Sequence, residues 1–228
     1  MKHISLIIAL MIVCAVTAFG QTRNNSLPVK QIEPAKWWLV PFTEGNTQEG
    51  KLYFGALLEN LTNRRLIVVI TFRAYKADGT PFDACSNGVS VDIAPHEKAL
   101  AVCHRSIVSR STRDLQITSR ITYIKPLVAP SLNATVIRSG LITKESDSQS
   151  SIYEAFALVK AQGNHGAQPE LLFRFYDKNS IQVGTSESHT IDLEPEVSQK
   201  VTSLSLIVDA GSPQPQRVRV DVKGYAEN

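Results

Sequence analysis

The sequence predicts an all-β protein made of two tandem β-sandwich modules, and three observations lead to this prediction. Short runs of β-branched and aromatic residues are separated by turn residues along the chain, as in antiparallel sheets. No stretch keeps an apolar period of 3.6 residues over three turns, which argues against helical modules. Several motifs also recur about 100 residues apart. Because seven short strands in about 100 residues are typical of an immunoglobulin-like antiparallel sandwich, we expect two of them.

The composition is that of an ordinary globular protein. Of the 228 residues, 43% are hydrophobic and 20% are charged, and the formal net charge is +3. These fractions exclude a disordered tail and a multispan membrane protein. A net charge this small gives no electrostatic reason to expect nucleic-acid binding.

Residues 1–20 are predicted to be a signal peptide that is removed after export. Lys2 gives a basic start, residues 4–16 form an uncharged apolar run, and small residues precede a cut after Gly20. The run is shorter than the roughly 20 residues of a membrane-spanning helix. Lipid attachment at Cys14 is an alternative. Export predicts an extracytoplasmic protein, periplasmic or secreted, with no stable membrane span after cleavage.

The first module is predicted to span residues 21–130. Residues 66–75 are rich in β-branched and aromatic side chains, and the Asp78-Gly79 pair after them supplies the positive φ of a tight hairpin. Residues 89–93 alternate between apolar and polar, so one face of that strand should be buried. The other strands are predicted at 37–40, at 51–59, from 99 onward and in a bent segment with the apolar residues Leu115, Ile117, Ile121, Tyr123 and Leu127.

The second module is predicted to span residues 131–228, with the joint between residues 129 and 133. Polar residues 143–151 are expected to form a loop within it. Its strands are predicted at 134–143, 152–161, 170–177, 181–186, 188–193, 199–208 and 216–225.

The two modules are expected to be copies of one structural unit. Three motifs recur in order, namely Leu52-Tyr53 with Ile152-Tyr153, residues 71–75 with 172–176, and residues 91–95 with 191–195. This predicts the same strand order in both modules, with Phe72 equivalent to Phe173 and Tyr75 to Tyr176. Both phenylalanines should point into a core, because each lies in an apolar strand.

Two cysteines remain after the predicted cleavage, Cys85 and Cys103. An even number in an oxidising compartment favours a disulfide, and the alternative is two unpaired thiols in the core. In the chain-entropy model a bridge across this loop stabilises the fold by about 3 kcal/mol. The pairing predicts that the two Cα atoms lie within about 7 Å of each other.

The recurring motif resembles the FxLYD-type immunoglobulin-like modules of exported bacterial proteins. The likeness rests on a strand that ends in Phe-Arg-x-Tyr at residues 72–75, a Lys-Ala-Asp-Gly turn at 76–79, Val-Asp-Ile-Ala-Pro at 91–95 and Asn-Leu-Thr at 60–62. It covers residues 52–105 and 152–208, although the second copy lacks the Asn-x-Thr. The resemblance implies an extracytoplasmic binding or spacer module and carries over no catalytic residues.

No motif of an enzyme occurs in the chain. The nucleophile elbow, the zinc-protease helix motif, the P-loop and the dinucleotide-binding loop are all missing from the sequence. The histidines have no metal-ligand spacing, so we predict no metal and no cofactor. Asp92 and Asp192 recur in both copies, which favours a structural role over acid–base catalysis. A non-enzymatic protein is therefore predicted, with a small hydrolase as a distant alternative.

A charge asymmetry between the halves suggests one binding site. Residues 21–130 carry five more basic than acidic side chains, whereas residues 131–228 carry three more acidic than basic ones. Arg105, Arg110 and Arg113 lie in or near one predicted loop, and clustered guanidinium groups can grip carboxylate or phosphate. An anionic partner such as an acidic glycan of the cell envelope is the sharper interpretation. The alternatives are a solvated loop or docking of one module on the other.

The adjacent pair Trp37-Trp38 suggests a second candidate site. Neighbouring residues of a strand point to opposite faces of the sheet, so one indole should lie in the core. The other could offer an aromatic platform for a sugar or pack at the module joint.

These observations predict an exported, non-enzymatic interaction protein that presents tandem modules to a protein or glycan partner, and not to nucleic acid. A structural spacer or a periplasmic chaperone-like assembly subunit is the alternative. A flat, exposed edge strand would favour assembly, whereas an aromatic-lined concave patch would favour glycan binding.

Overall fold

The computed structural model shows an all-β chain. It describes residues 27–42, 49–82, 85, 87–109, 112, 114–127, 134–147, 150–162, 169–188, 192–209 and 211–223, so the predicted signal peptide and the predicted module boundary lie outside the described residues. Within these ranges, no helix is long and apolar enough to cross a membrane. The strands are β1 (Val29–Gln31), β2 (Lys36–Pro41), β3 (Glu49–Asn60), β4 (Leu66–Tyr75), β5 (Pro81–Phe82), β6 (Val89–Ile93), β7 (Lys98–Ser109), β8 (Gln116–Pro126), β9 (Ala134–Ser146), β10 (Ser150–Ala161), β11 (Glu170–Tyr176), β12 (Ile181–Glu187), β13 (Ser198–Thr202), β14 (Leu206–Asp209) and β15 (Arg217–Lys223).

The first sandwich consists of β1 to β8 in two antiparallel layers. In one layer, β3 lies between β7 on one side and β1 and β2 on the other. In the other layer, β4 lies between β8 and the two short strands β5 and β6. Strand β4 buries every second residue, as its apolar alternation predicts. Phe72 is 0% exposed, and its ring lies 6.4 Å from that of Phe54 across the core.

The second sandwich repeats this plan with β9 to β15. Strand β10 lies between β9 and the pair β13 and β14, and β11 lies between β12 and β15. Phe173 is 0% exposed, like its counterpart Phe72. The predicted fold class is therefore confirmed, since both halves are antiparallel sandwiches with matching strand order and separate cores.

One pairing between the sandwiches was not predicted from the sequence. Strand β12 pairs in parallel with β7, with Ile181 opposite Lys98 and Gln182 opposite Ala99. A single seven-stranded sheet therefore runs through both sandwiches and forms part of their joint.

The repeat alignment needs a correction at its first motif. Leu52 is 0% exposed in the first core, but Tyr153, not Ile152, packs in the second core. Because side chains alternate between faces, Leu52 is equivalent to Tyr153, and Tyr53 to Glu154. This spacing is one residue longer than the sequence alignment at that motif and equals that between Phe72 and Phe173.

One loop prediction and two strand predictions in the second module were also wrong in part. Residues 143–151 are mostly strand, because β9 continues to Ser146 and β10 begins at Ser150. The predicted strand at 199–208 is divided at Ser203, whose hydroxyl accepts the backbone N–H of Ala155 at 2.9 Å in place of a ladder partner. Of the predicted strand at 188–193, Leu193 forms a single bridge, and residues 189–191 lie outside the described part.

The predicted disulfide is present in the first sandwich. Cys85 and Cys103 are bonded, with their Cα atoms 6.4 Å apart. Cys103 lies on β7, and Cys85 lies between β5 and β6, so the bond joins the two layers of the sandwich.

Candidate functional site

The predicted arginine cluster is described only in small part. The backbone of Arg105 pairs with Leu52 across β7 and β3, and its side chain lies outside the described part of the chain. Arg110 and Arg113 also lie outside the described residues. Contact of this cluster with an anionic partner stays a prediction.

The two tryptophans lie on opposite faces of β2, as adjacent strand residues should. Trp37 packs against the core of the first sandwich, and its Nε1 donates to the backbone oxygen of Leu115 at 3.1 Å. Trp38 points away from this core and stacks on Tyr53 of β3, with ring centroids 5.3 Å apart and planes 9° apart. Trp37 is therefore a core residue, and Trp38 lies on the face that meets the second sandwich.

The position of Trp38 depends on a glycine in the neighbouring strand. A Cβ on Gly55 would lie 2.8 Å from Cζ3 of Trp38, so the absence of a side chain there makes room for the indole. The Nε1 atom of Trp38 is buried and has no acceptor among the described residues. A buried N–H without a partner costs about 1–3 kcal/mol.

Trp38 lines a cavity of about 430 Å³ between the two sandwiches. Its apolar wall is formed mainly by β2, β3 and β7, and its rim carries the ion pair of Glu33 with Lys36. The lining residues from the first sandwich are Glu33, Pro34, Lys36, Trp37, Trp38, Gly55, Leu57 and Leu100, and those from the second are Asp177, Ile181, Gly211 and Pro213. The cavity is thus an aromatic-lined concave patch at the joint.

The joint is held beside this cavity by a buried arginine. Arg174 stands on β11 and is 0% exposed, because residues of the first sandwich cover that face. Its Nη1 and Nη2 donate to the backbone oxygen and Oδ1 of Asp92 on β6, at 2.8 and 2.9 Å. Its Nε donates to Oδ2 of Asp221 on β15 at 2.6 Å. Its Nη1 also donates to Oε1 of Gln182 on β12 at 2.9 Å, so one guanidinium group joins four strands from two sandwiches.

Asp92 is the acceptor on which this contact depends. The Nε atom of Arg65 also donates to both of its carboxylate oxygens, at 2.8 and 2.9 Å. Burial by itself would raise the pKa of Asp92, but hydrogen bonds and charge from Arg65 and Arg174 outweigh it and hold that pKa below its usual value. Asp92 is therefore a structural anion of the joint, and a structural role shared with Asp192 stays a prediction.

A second polar contact of the joint involves Asp209 at the end of β14. Its carboxylate accepts hydrogen bonds from Lys51 at 2.9 Å and from the hydroxyl of Tyr53. Burial and the hydrogen bond to Asp209 raise the pKa of Tyr53 well above its usual value. Tyr53 thus stacks on Trp38 and also anchors the second sandwich.

A third contact involves Tyr176, which lies on the same face of β11 as Arg174. Its hydroxyl donates to Glu97, in the turn between β6 and β7, and Glu97 also pairs with Arg219 at 2.8 Å. Burial and the hydrogen bond to Glu97 raise the pKa of Tyr176 well above its usual value. Lys51 of the first module pairs with an acid of the second, but Arg174 and Arg219 of the second module pair with acids of the first. The excess of basic residues in the first half therefore does not explain the docking.

A wider cleft of about 840 Å³ also lies between the sandwiches, near Arg64, Arg65 and Arg219. Arg65 is paired with Asp92, and Arg219 contacts Glu97 and Asp221. Because two of these three arginines, Arg65 and Arg219, are already paired with carboxylates, the cleft is a weak candidate for an anion site.

Sequence reasoning missed Arg174 as a key residue of the joint. The repeat alignment contained a signal, since Arg174 recurs at the position of Arg73, but no pattern shows which copy becomes buried. The ionisable groups of the joint bind one another, and within the described ranges no three His, Cys, Asp or Glu side chains are grouped to hold a metal ion.

Comparison with known proteins adds little to this description. No protein-family model and no curated protein sequence matches this chain. Among solved structures, it is similar to the N-terminal CBM22-1–CBM22-2 tandem domain of Paenibacillus barcinonensis Xyn10C, with 8% identity, a TM-score of 0.16 and coverage of 89% of this chain and 87% of that one. At that TM-score the similarity supports no conclusion about ligand or activity.

Proposed function

We propose that this protein is an exported, non-enzymatic carbohydrate-binding protein whose ligand site is the Trp38 cavity between the two sandwiches. The observation that carries the proposal is the aromatic-lined cavity of about 430 Å³ at the joint. Its volume lies within the roughly 300–1,000 Å³ of small-molecule sites, which occur preferentially between domains.

The chemistry of the cavity suits a saccharide unit. An indole ring packs against the apolar C–H face of a pyranose, in the way that aromatic rings bind other flat apolar surfaces. The carboxylate of Glu33 and the ammonium group of Lys36 at the rim can exchange their mutual contact for hydroxyl groups. The apolar side chains of Leu57 and Leu100 complete the wall.

Export remains part of the proposal. A disulfide such as Cys85–Cys103 forms and persists in oxidising compartments, which supports an extracytoplasmic location. Removal of residues 1–20 as a signal peptide and membership of the FxLYD-type modules are proposed together with it. One part of that motif has a structural explanation, since Asn60 accepts the N–H and hydroxyl of Thr62 and so fixes the turn after β3.

A rigid spacer is the second candidate function. It is favoured by the seven-stranded sheet that runs through both sandwiches and by the buried Arg174 at the joint. Assembly by strand addition is less favoured. The long strands β8 and β9 lie at sheet edges, but their pairings with β4 and β10 carry register shifts, and such bulges protect edges from pairing.

Tryptophan fluorescence offers a direct test of saccharide binding. Trp37 and Trp38 are the two tryptophans of the chain, and both line the cavity. Titration with a panel of soluble neutral oligosaccharides should therefore change the emission for the sugars that bind. Trp38→Phe should weaken binding of the same sugar about tenfold, measured by calorimetry, which corresponds to about 1.4 kcal/mol.

Two further variants separate binding from folding. Leu57→Phe narrows the cavity and keeps both tryptophans, so it should also weaken binding while its fluorescence remains readable. Tyr123→Ala removes an exposed ring on the other layer of the same sandwich and should leave binding unchanged. If no saccharide binds, or if Leu57→Phe and Trp38→Phe bind as the wild type does, the cavity is a packing feature of a spacer.

A further inference from the structure

The outer face of β8 and β4 in the first sandwich carries an exposed group of basic and aromatic side chains. We call it the basic strip and define it as Arg73, Arg120, Tyr123 and Lys125. Arg73 lies on β4, and the other three lie along β8. All four are exposed, and the ring of Tyr123 is 52% exposed in the middle of its strand.

A β-bulge places these residues on one face. With strict alternation, Ile124 would follow Arg120 on the outer face and Tyr123 would point inward. The pairing of β8 with β4 shifts by one residue after Ile121, which turns Ile124 toward the core and brings Tyr123 and Lys125 outward. The bulge interrupts the hydrogen-bond ladder between β8 and β4, and it places the ring of Tyr123 between the cations Arg120 and Lys125.

The cations of the strip are not neutralised by the described residues around them. Arg73, Arg120 and Lys125 make no ion pair with a described residue, although other basic residues of the same sandwich do, namely Lys36, Lys51 and Arg65. One acidic residue of the same sheet is Asp92 on β6, which is paired with Ile67 of β4. Its carboxylate already binds two arginines, so it leaves the strip positive.

The geometry of the strip is suited to an extended ligand. Arg73 pairs with Thr118 and Arg120 with Thr71, which makes the two arginines diagonal neighbours with mutual repulsion. Arg120 and Lys125 are separated by roughly 13–16 Å along the strand, at about 3.3 Å a residue less the bulge. Tyr123 lies between them, so a polymer along β8 meets cation, ring and cation in turn.

We propose that the basic strip binds an acidic polysaccharide, whose sugar rings pack on Tyr123 while its carboxylates contact the flanking cations. Arginine and lysine both bind carboxylates strongly, and arginine can do so through two hydrogen bonds. Nucleic acid fits less well, because proteins that bind single strands stack successive bases on several aromatic side chains. This inference is independent of the Trp38 cavity, which lies on the other layer of the sandwich.

The test uses the full mature chain and polygalacturonate of defined length as the probe. In calorimetry at low salt, the triple variant Arg73→Gln/Arg120→Gln/Lys125→Gln should bind at least about tenfold more weakly than the wild type. Wild-type affinity should fall steeply between about 0.1 and 1 M salt, because the Debye length falls from about 10 to 3 Å. Tyr123→Ala should weaken binding even at high salt, where the charge contribution is screened.

A charge-matched control separates binding at the basic strip from a general effect of net charge. Arg138→Gln/Lys178→Gln/Lys200→Gln removes the same charge from exposed positions of the second sandwich and should change affinity less than about threefold. Equal weakening by both triple variants, or no binding by the wild type, would overturn the proposal. Tighter binding to a single-stranded oligonucleotide than to polygalacturonate would overturn it too. The cavity proposal is tested with neutral oligosaccharides and this one with an acidic polymer, so failure here is distinct from failure of the cavity proposal.

Discussion

Arg73 and Arg174 occupy the same position in the two modules, one after Phe72 and the other after Phe173, yet their surroundings are opposite. Arg73 is exposed on the outer face of β4, whereas Arg174 is 0% exposed on the outer face of β11. The difference arises because the first sandwich covers the outer face of β11, and the described residues leave the outer side of Arg73 open. Equivalent residues of a repeat therefore acquire different roles from the docking of one copy on the other.

The disulfide shows a second difference between the copies. In the second sandwich, Ser186 is paired with Phe173, and Ser203 donates its backbone N–H to the oxygen of Ala155. In the first, the backbone oxygen of Cys85 accepts the N–H of Phe72, and Cys103 is paired with Phe54. The hydroxyl of Ser186 donates to the backbone oxygen of Leu204 at 2.7 Å. A hydrogen bond thus joins the two layers of the second sandwich, whereas a covalent bond joins the two layers of the first.

The turns after β3 and β10 show a third difference. Asn60 is 0% exposed, and its amide donates to the backbone oxygens of Arg64, Ile93 and Ala94 at 2.7, 3.1 and 3.1 Å. By the corrected spacing, Ala161 stands at this position in the second sandwich and makes no such contact. The first module therefore has a disulfide and a buried side-chain amide within its own fold, and the corresponding positions of the second module have neither.

The largest expected effect comes from the buried arginine. Arg174→Gln removes the buried one of the two arginines that contact Asp221 and the buried one of the two that contact Asp92, which should lower the free energy of unfolding by about 3–5 kcal/mol. Arg73→Gln at the equivalent exposed position should change it by no more than about 0.5 kcal/mol. Urea unfolding followed by circular dichroism measures both. Similar effects of the two substitutions would contradict the asymmetry between the modules.

The disulfide should have the next largest effect. Replacing both Cys85 and Cys103 by Ser removes the cross-link and should lower the stability of the first sandwich by about 3 kcal/mol. Thermal unfolding of the double variant checks this, and thiol labelling of the denatured, unreduced wild-type chain should give no signal from these two residues. Labelling of both would show that the bond is not formed.

Removing the amide of Asn60 should have a smaller effect. Asn60→Ala leaves buried backbone carbonyl groups without their donor and should cost about 1–3 kcal/mol. Gln162→Ala, at an exposed residue of the corresponding turn in the second sandwich, is the control and should cost less than about 0.5 kcal/mol. Equal stability of both variants in urea would mean that Asn60 does not fix this turn.

The smallest expected effect is a loss of folding stability at acid pH that comes from the carboxylates of the joint. Burial opposes ionisation of Asp92 and of Asp209, but their cationic and hydrogen-bonding partners prevail and hold both pKa values below the usual one. The stability that these groups contribute is therefore fully present above about pH 4 and is lost as pH falls through the lowered pKa values. Urea midpoints measured from neutral pH to about pH 2 should show this loss, and Asp92→Asn should make it shallower. An unchanged slope in that variant would exclude Asp92 as a source.

The sequence predicts each sandwich better than it predicts their joint. Local alternation of apolar and polar residues is enough to predict a strand such as β4, where every second residue is buried. An even cysteine count in an exported chain is enough to favour the bond between Cys85 and Cys103. The burial of Arg174 depends on contacts across about 80 residues of chain, which no periodicity encodes. Tyr123 points outward because of a β-bulge, and the sequence has no pattern that predicts the position of one extra residue in a strand.

The candidate site, too, was predictable within one sandwich and not predictable at the joint. Alternation along β2 predicted that Trp37 and Trp38 would face opposite ways, and it could not tell which one meets the second sandwich. The cavity exists because residues such as Gly211 and Pro213 of the second sandwich approach the first, which is a property of the assembled pair.

The central claim is that the two sandwiches form one fixed unit through the Arg174 contact, and a distance distribution tests it most directly. Spin labels at Lys76→Cys and Lys178→Cys place one probe on an exposed turn of each sandwich, while Cys85 and Cys103 stay bonded and unlabelled. Pulsed electron paramagnetic resonance should give a single narrow distribution, which broadens when Arg174→Gln is added. A broad distribution in the chain with Arg174 intact would contradict the claim.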